Sequence, residues 1–231
     1  MDDIYKYVKF RSPFTCCVVG SSGSGKTILV RNFLKNFKNA IQLNELTSKL
    51  KVLWVYGAEQ NIFKIPIAND VEIRYTTEIP THAQLKASPP HVIVIDDLFN
   101  ELGNSSQLAS LFTKQSHHLN ISIIFITQNI FPKGSQMRNV TLNTHYFILM
   151  KNTRDKSQIM RLAGQISPEN RKMFLSFYNK STKRKFGYLV IDLKTDTPDK
   201  VRYRSRITTE ELPSNLKMFK YIPIIYKYSP K

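Results

Sequence analysis

The sequence predicts an α/β domain with a mainly parallel sheet and helices on both faces. Short apolar runs alternate with segments of helical periodicity, a glycine- and serine-rich loop joins the first run to the first helix, and a later run ends in two carboxylates. Strands that are apolar along their whole length are typical of parallel sheets, because helices cover both of their faces. The order of these features favours a RecA-like P-loop NTPase fold.

The predicted domain bounds follow shifts in composition. Residues 1–13 form an N-terminal lead-in, residues 14–195 form the P-loop domain, and residues 196–231 form a C-terminal extension that ends in aromatic residues and prolines. A chain of 231 residues buries about 70–75% of its unfolded surface and needs no covalent cross-links. The adjacent Cys16 and Cys17 lie in the first apolar run, and we expect both to be reduced core residues.

The charge of the chain is strongly positive and unevenly placed. Residues 1–150 hold 15 Lys and Arg and 10 Asp and Glu, giving +5, whereas residues 151–231 hold 19 and 7, giving +12. Beside a nucleotide site, such a surface favours a nucleic acid partner, and the alternative is a solvated surface that aids solubility. No signal peptide or membrane span is expected, because the N-terminus is acidic and the apolar runs are short.

The first motif is a phosphate-binding loop that fits G-x-x-x-x-G-K-[ST] at each fixed position: Gly20-Ser21-Ser22-Gly23-Ser24-Gly25-Lys26-Thr27. It follows the apolar run 14–19 and precedes a helix predicted over 25–36. The backbone N–H groups of such a loop wrap a phosphate, and the positive end of the helix dipole faces it. Lys26 is predicted to reach the β- and γ-phosphates of ATP, and the hydroxyl of Thr27 to hold Mg²⁺. The alternative is a chance match in a glycine-serine turn.

The second motif is a pair of carboxylates, Asp96 and Asp97, that follows the apolar residues 92–95. This pattern is typical of a Walker B strand. Asp96 is predicted to support the Mg²⁺ ion, and Asp97 to orient and activate the water that attacks the γ-phosphate. The alternative is a strand that ends in an Asp-Asp turn.

Between these motifs the pattern predicts strands at 51–57 and 71–75 and a short helix at 81–87, whereas residues 39–49 match no pattern. After the carboxylates, a helix is predicted to begin at Ser105 or Ser106, both of which are good N-caps.

The next apolar strand, residues 121–126, ends in polar residues that include Gln128. In the P-loop ATPases where such a strand lies between the P-loop strand and the carboxylate strand, a polar residue at its tip senses the γ-phosphate. Gln128 is predicted to take that role, and the alternative is a strand-end cap.

The last part of the predicted domain contains two strands and two helices. The strands lie at 144–151 and 186–193, Asp155 caps one helix, and Ser167 with the following proline opens the other. The basic loop 180–185 is interpreted as a contact for DNA phosphates, as a weak nuclear signal, or as a solvated loop.

Five strings follow one another in a fixed order: Asp96-Asp97-Leu98, Phe125-Ile126-Thr127-Gln128-Asn129, Gly134-Ser135-Gln136-Met137-Arg138, Leu142-Asn143 and Lys151-Asn152-Thr153-Arg154-Asp155-Lys156. These strings and their order resemble those of viral genome-packaging ATPases of the FtsK–HerA superfamily. Within that superfamily, the strings resemble the branch of poxviruses and other large DNA viruses, virophages and Polinton or adintovirus-like elements. It spans roughly residues 14–165, and Asp97 stands where superfamily relatives often carry Glu.

The resemblance implies a motor ATPase that uses ATP and Mg²⁺ to move double-stranded DNA into a capsid. It also implies a homo-oligomeric ring of about five or six subunits, in which an arginine enters the ATP site of the neighbour. Arg138 is favoured because it follows the sensor strand by one loop, while Arg154 could instead pair with Asp155 or with carboxylates near Asp97. A capsid vertex protein is the further partner, no membrane is involved, and the expected location is the virus assembly site in the host cytoplasm or nucleus, or the virion.

Other function classes stay open at this point. A nucleoside or nucleotide kinase shares the P-loop, although it usually carries an arginine-rich lid. A scaffold that binds ATP and DNA without hydrolysis is a second alternative. A helicase or another DNA pump of the same superfamily is the third.

Overall fold

The protein is described by a computed structural model that covers residues 7–96, 98, 105–131, 133–207 and 224–227. Its strands are β1 (Phe10–Arg11), β2 (Thr15–Val19), β3 (Ile41–Gln42), β4 (Leu50–Tyr56), β5 (Val71–Thr76), β6 (Val92–Asp96), β7 (Ser122–Thr127), β8 (Tyr146–Met150), β9 (Tyr188–Asp192), β10 (Tyr203–Ser205) and β11 (Ile224–Ile225). Its helices are α1 (Lys26–Lys35), α2 (Phe37–Ala40), α3 (His82–Ala87), α4 (residues 106–118, with a π-helical turn at Leu111–Gln115), α5 (Met137–Leu142), α6 (Lys156–Ile166) and α7 (Arg171–Ser181).

Nine of these strands form one sheet in the order β11-β10-β9-β8-β2-β7-β6-β4-β5. From β8 to β5 all neighbours are parallel, whereas β9, β10 and β11 are antiparallel additions at one edge. The mainly parallel sheet predicted from the apolar runs is therefore confirmed. The P-loop strand β2 and the carboxylate strand β6 are separated by β7 alone, which is the condition that the sensor prediction requires.

Helices cover both faces of the sheet, as predicted. On one face, α1 and α2 bury Phe33, Leu34 and Phe37 against strand residues such as Trp54. On the other face, α3 to α7 pack their apolar sides on the same strands, with Phe112 of α4 and Phe174 of α7 almost fully buried. Because β2, β7 and β6 are parallel neighbours, their carboxyl ends meet at one edge of the sheet. Ligands of open α/β sheets bind at this edge.

Two local predictions in the C-terminal part differ from the structure. Ser167 does not open a helix: its N–H donates to the carbonyl oxygen of Ala163 (2.9 Å), so it ends α6, and α7 begins at Arg171. The last predicted strand begins at Tyr188 rather than at 186. Its first two residues belong to a turn closed by the Gly187 N–H donating to the Arg184 carbonyl oxygen (3.0 Å).

Residues outside the predicted P-loop domain, 14–195, also form paired strands. The domain bounds themselves stay a prediction. The lead-in contributes β1, which pairs with β3 in a separate two-stranded parallel sheet. Beyond residue 195, β10 pairs with β9 and β11 pairs with β10. A buried ion pair between Arg204 and Asp192 (3.1 Å) joins β10 to β9, so residues 203–205 are part of the packed sheet.

Both cysteines are buried and neither forms a disulfide, as predicted. Burial raises the pKa of the Cys17 thiol to about 12, which keeps it protonated and unreactive at neutral pH. None of the helices in the described ranges combines the length and the apolar character needed to cross a membrane.

Candidate nucleotide-binding site

The loop between β2 and α1 has the backbone geometry that a phosphate cradle requires. Gly23 (φ 72°) and Gly25 (φ 92°) adopt left-handed conformations that residues with a side chain rarely take. A Cβ atom at Gly20 would lie 2.8 Å from the Cβ atom of Met150 and 2.7 Å from Oγ of Ser24, so the loop passes too close to its neighbours for a larger residue. Helix α1 begins at Lys26, so the N–H groups of its first turn lie at the end of the loop.

The ammonium group of Lys26 lies over this loop. Its Nζ donates to the carbonyl oxygens of Gly20 (2.8 Å) and Ser21 (3.0 Å). Phosphate oxygens are stronger acceptors than carbonyl oxygens because they are charged. A bound triphosphate would therefore draw the ammonium from these carbonyls without moving the helix that carries it.

Two oxygen ligands suited to Mg²⁺ lie side by side next to the loop. Thr27 Oγ1 donates to Asp96 Oδ2 at 3.2 Å, and Asp96, at the end of β6, is only 3% exposed. No described group of three or more His, Cys, Asp or Glu residues could hold a metal by itself. Mg²⁺ commonly takes one or two protein oxygens and completes its shell with phosphates and water, so this pair fits the ion. Asp97 lies outside the described residues.

Gln128 directly follows β7 and lines a cleft of about 590 Å³ together with Lys26, Thr27 and Asp96. The structure thus brings together the loop, the metal-ligand candidates and the predicted sensor.

The segment after Gln128 is held by Gln158 of α6. Its Nε2 donates to Asn129 Oδ1 (3.1 Å), and its Oε1 accepts the N–H of Ile130 (2.7 Å).

The two candidate arginines do not line this cleft. Arg138 is exposed on α5 and lines a separate groove of about 830 Å³, whose wall also contains Lys133 and Arg161. Arg154 is also exposed, and among the described residues it forms no ion pair with Asp155. Asp155 instead caps α6, as predicted, by accepting the backbone N–H groups of the second and third helical residues.

Part of the cleft wall consists of residues that no sequence motif indicated. Residues 60–62 and Phe186 both line it. Phe186 was expected inside a strand, yet its side chain is 53% exposed beside the phosphate loop. The available signal was its position between three basic residues and Gly187, a composition more typical of a turn than of a buried strand.

The basic loop lies beside the phosphate loop rather than on a distant surface. Lys183, Arg184 and Lys185 share a pocket of about 470 Å³ with Lys151 and with residues 21–24 of the phosphate loop. Positive charge is therefore concentrated beside the phosphate loop.

The family described as the poxvirus A32 protein matches residues 4–192 of the chain, which is more than half of its length. No curated protein matches the chain significantly.

Solved structures of the genome packaging NTPase B204 from Sulfolobus turreted icosahedral virus 2 are similar in fold. The match to the complex with ATP-gammaS has 13% sequence identity and a TM-score of 0.55, and it covers 78% of this chain and 93% of the B204 chain. The match to the complex with sulfate has 15% sequence identity and a TM-score of 0.56, and it covers 80% of this chain and 93% of the B204 chain. At these identities the likeness shows a shared fold alone, and it agrees with the predicted P-loop NTPase architecture.

Proposed function

The chain belongs to the poxvirus A32 protein family, and from that premise we propose that it hydrolyses ATP and couples the hydrolysis to movement of double-stranded viral DNA into a capsid. The observation that carries the proposal is the convergence of Lys26, Thr27, Asp96 and Gln128 on one cleft. The solved structures of similar fold support it further, since they include a genome packaging NTPase in complex with ATP-gammaS.

Each of these side chains has a role in the proposed reaction. Lys26 binds the β- and γ-phosphates, and the backbone N–H groups of the loop hold the remaining phosphate oxygens. Mg²⁺, bound with Thr27 and Asp96, neutralises charge on the phosphate oxygens. Asp97 accepts the proton of the attacking water, and Gln128 hydrogen-bonds the γ-phosphate and so reports whether it is present.

An arginine acts in the site of the neighbouring subunit. Two facts support Arg138 in this role: it is exposed, and it lines a groove away from its own cleft. An arginine finger contributes about 10³–10⁵ in rate, so its removal should nearly stop turnover while leaving nucleotide binding intact. Arg154 is the rival, because it too lies outside its own cleft.

The basic character of the chain supports DNA as the substrate that is moved. Of the 34 Lys and Arg residues, 19 lie after residue 150. The groove that contains Lys133, Arg138 and Arg161 has no carboxylate among the described residues of its wall. Such surfaces attract phosphate backbones without reading sequence. The proposed location is the site of virus assembly, with a capsid vertex protein as a further partner.

The first experiment measures ATP hydrolysis with and without double-stranded DNA, together with the mass of the assembly. We expect DNA to raise the rate, K26A to abolish it, and D97N to bind ATP without turnover. Phosphate transfer to a nucleoside in place of release to water would refute the proposal, and so would hydrolysis that is indifferent to DNA in every assembly state.

Subunit mixing tests action between neighbours. K26A subunits lack a working ATP site but keep Arg138, whereas R138A subunits keep the ATP site but lack the arginine. In a mixed assembly, an R138A site can receive Arg138 from a K26A neighbour. Mixed assemblies should therefore regain ATPase activity that neither variant has alone. R154A mixed with K26A is the matched control, and we expect no such gain from it. A gain only with R154A would transfer the role to Arg154.

The salt dependence of DNA affinity tests the contact with DNA. If the surface meets about 6–10 phosphates, affinity should fall about 10³- to 10⁵-fold between 50 and 200 mM salt. Affinity that does not change with salt would contradict a DNA partner held by this surface.

A further inference from the structure

Phe186 combines two features that core phenylalanines do not have. Its side chain is 53% exposed, and its backbone adopts a left-handed conformation with φ 58°. A bulky residue in that region is strained, and such strain persists mainly where the surrounding structure enforces it for a function. An exposed, strained aromatic residue therefore needs an explanation beyond packing.

The turn that carries Phe186 is geometrically fixed. The N–H of Gly187 donates to the carbonyl oxygen of Arg184 at 3.0 Å. A Cβ atom at Gly187 would lie 2.3 Å from the carbonyl oxygen of Ser181, so only glycine lets the chain pass the end of α7. These contacts fix the backbone that carries Phe186.

The ring lies directly on the phosphate loop. A Cβ atom at Gly25 would be 3.0 Å from Cδ1 of Phe186, which means that the ring edge approaches the glycine backbone where a side chain would otherwise stand. Ile28, in the first turn of α1, lines the same cleft and is also 53% exposed. Two exposed apolar side chains thus flank the start of the helix that follows the loop.

The sheet order gives the cleft a direction. Asp96 is the last residue of β6 and Gln128 follows β7, and both strands lie on one side of the P-loop strand β2. Phe186 precedes β9, which lies on the other side of β2, beyond β8. A triphosphate whose γ end meets Asp96 and Gln128 would therefore carry its nucleoside toward Phe186.

We propose that Phe186, together with Ile28, forms the seat of the nucleobase, with the Phe186 ring stacking on the base of the bound nucleoside triphosphate. This inference rests on the proposed function, since it assumes that the triphosphate binds in the cradle. The ligand class is a planar aromatic base attached to the triphosphate, and the ammonium of Lys185, 5.2 Å from the ring centroid, supports the ring by a cation–π contact.

Stacking on an aromatic side chain changes affinity about 5- to 150-fold per base. F186A should therefore bind ATP more weakly by about tenfold or more, while its affinity for inorganic tripolyphosphate, which has no base, should stay that of the wild type. M160A is the matched control, because Met160 is an apolar side chain of α6 that is 57% exposed and lies outside the cleft. Equal loss of ATP and tripolyphosphate binding in F186A would overturn the inference, as would no loss of either.

F186W provides a direct readout of contact. The natural chain has a single tryptophan, Trp54, which is fully buried and gives a constant background. ATP should quench the added fluorescence of F186W, whereas tripolyphosphate should leave it unchanged. Identical responses to the two ligands would contradict a stacked base.

The same measurements separate the two proposals. A wild-type protein that binds neither ATP nor tripolyphosphate would refute the nucleotide site itself. A wild-type protein that binds both with equal affinity, and hydrolyses ATP, would refute the base seat and leave the proposed function standing.

Discussion

Replacing Arg204 by methionine (R204M) leaves the carboxylate of Asp192 buried without its nearest cation. Both side chains are fully buried, and Nη1 of Arg204 lies 3.1 Å from Oδ2 of Asp192. The same Nη1 also donates to the carbonyl oxygens of Tyr7 (2.7 Å) and Val201 (3.0 Å), so one side chain joins β9, the segment before β1 and the turn before β10.

The expected loss follows from these contacts. Breaking a buried ion pair by removing one partner costs about 3–5 kcal/mol, because an uncompensated charge stays buried. We expect the lower end, about 3 kcal/mol, since Nη2 of Arg11 lies 3.9 Å from Oδ1 of Asp192 and the backbone N–H of Lys194 donates to the same oxygen (3.1 Å). The double variant D192N/R204M should lose less than R204M alone, because no charge is left unpaired.

Urea unfolding monitored by circular dichroism measures these differences as free energies of unfolding. R74M is the control, because Arg74 is an exposed arginine of β5, and an exposed substitution of this kind usually stays within about 0.5 kcal/mol of wild type. A loss in R204M no larger than that in R74M would refute the reasoning. It would also mean that β10 is not an integral part of the sheet.

Three further predictions concern the site and its surroundings. G20A places a Cβ atom 2.8 Å from that of Met150, so we expect weaker ATP binding and a destabilisation of about 1–3 kcal/mol in urea unfolding; wild-type values for both would contradict the close approach. Q158L removes the amide that holds the segment after Gln128, so the kcat for ATP hydrolysis should fall with little change in KM, and an unchanged kcat would separate this segment from turnover. Burial lowers the pKa of His145 to about 4, whereas the pKa of a histidine in the unfolded state is about 6.5. The unfolded state therefore binds the proton first, and the free energy of unfolding should decrease as the pH falls from about 6.5 to about 4; H145N should have a smaller decrease, and an equal decrease in both proteins would exclude this group as the cause.

The amino-acid sequence alone determined the parts of the site that depend on local pattern. The strand–loop–helix order around residues 20–27 and the position of Asp96 at a strand end were predicted correctly, because glycine spacing and uninterrupted apolar runs act over a few neighbouring residues. The predicted P-loop NTPase fold and the resemblance to packaging ATPases of poxviruses are likewise confirmed, the latter by the family match over residues 4–192. The catalytic roles of Asp97, Gln128 and Arg138 stay predictions.

Only the tertiary structure decided which distant residues meet. The insertion of β7 between β2 and β6 places Gln128 in the cleft. The turn at Gly187 brings Phe186 onto Gly25, more than 150 residues earlier in the chain. The pairing of Asp192 with Arg204 draws residues beyond 195 into the sheet. None of these contacts leaves a periodic signal in the sequence, because each depends on the order of strands and on the packing of whole elements rather than on neighbouring residues.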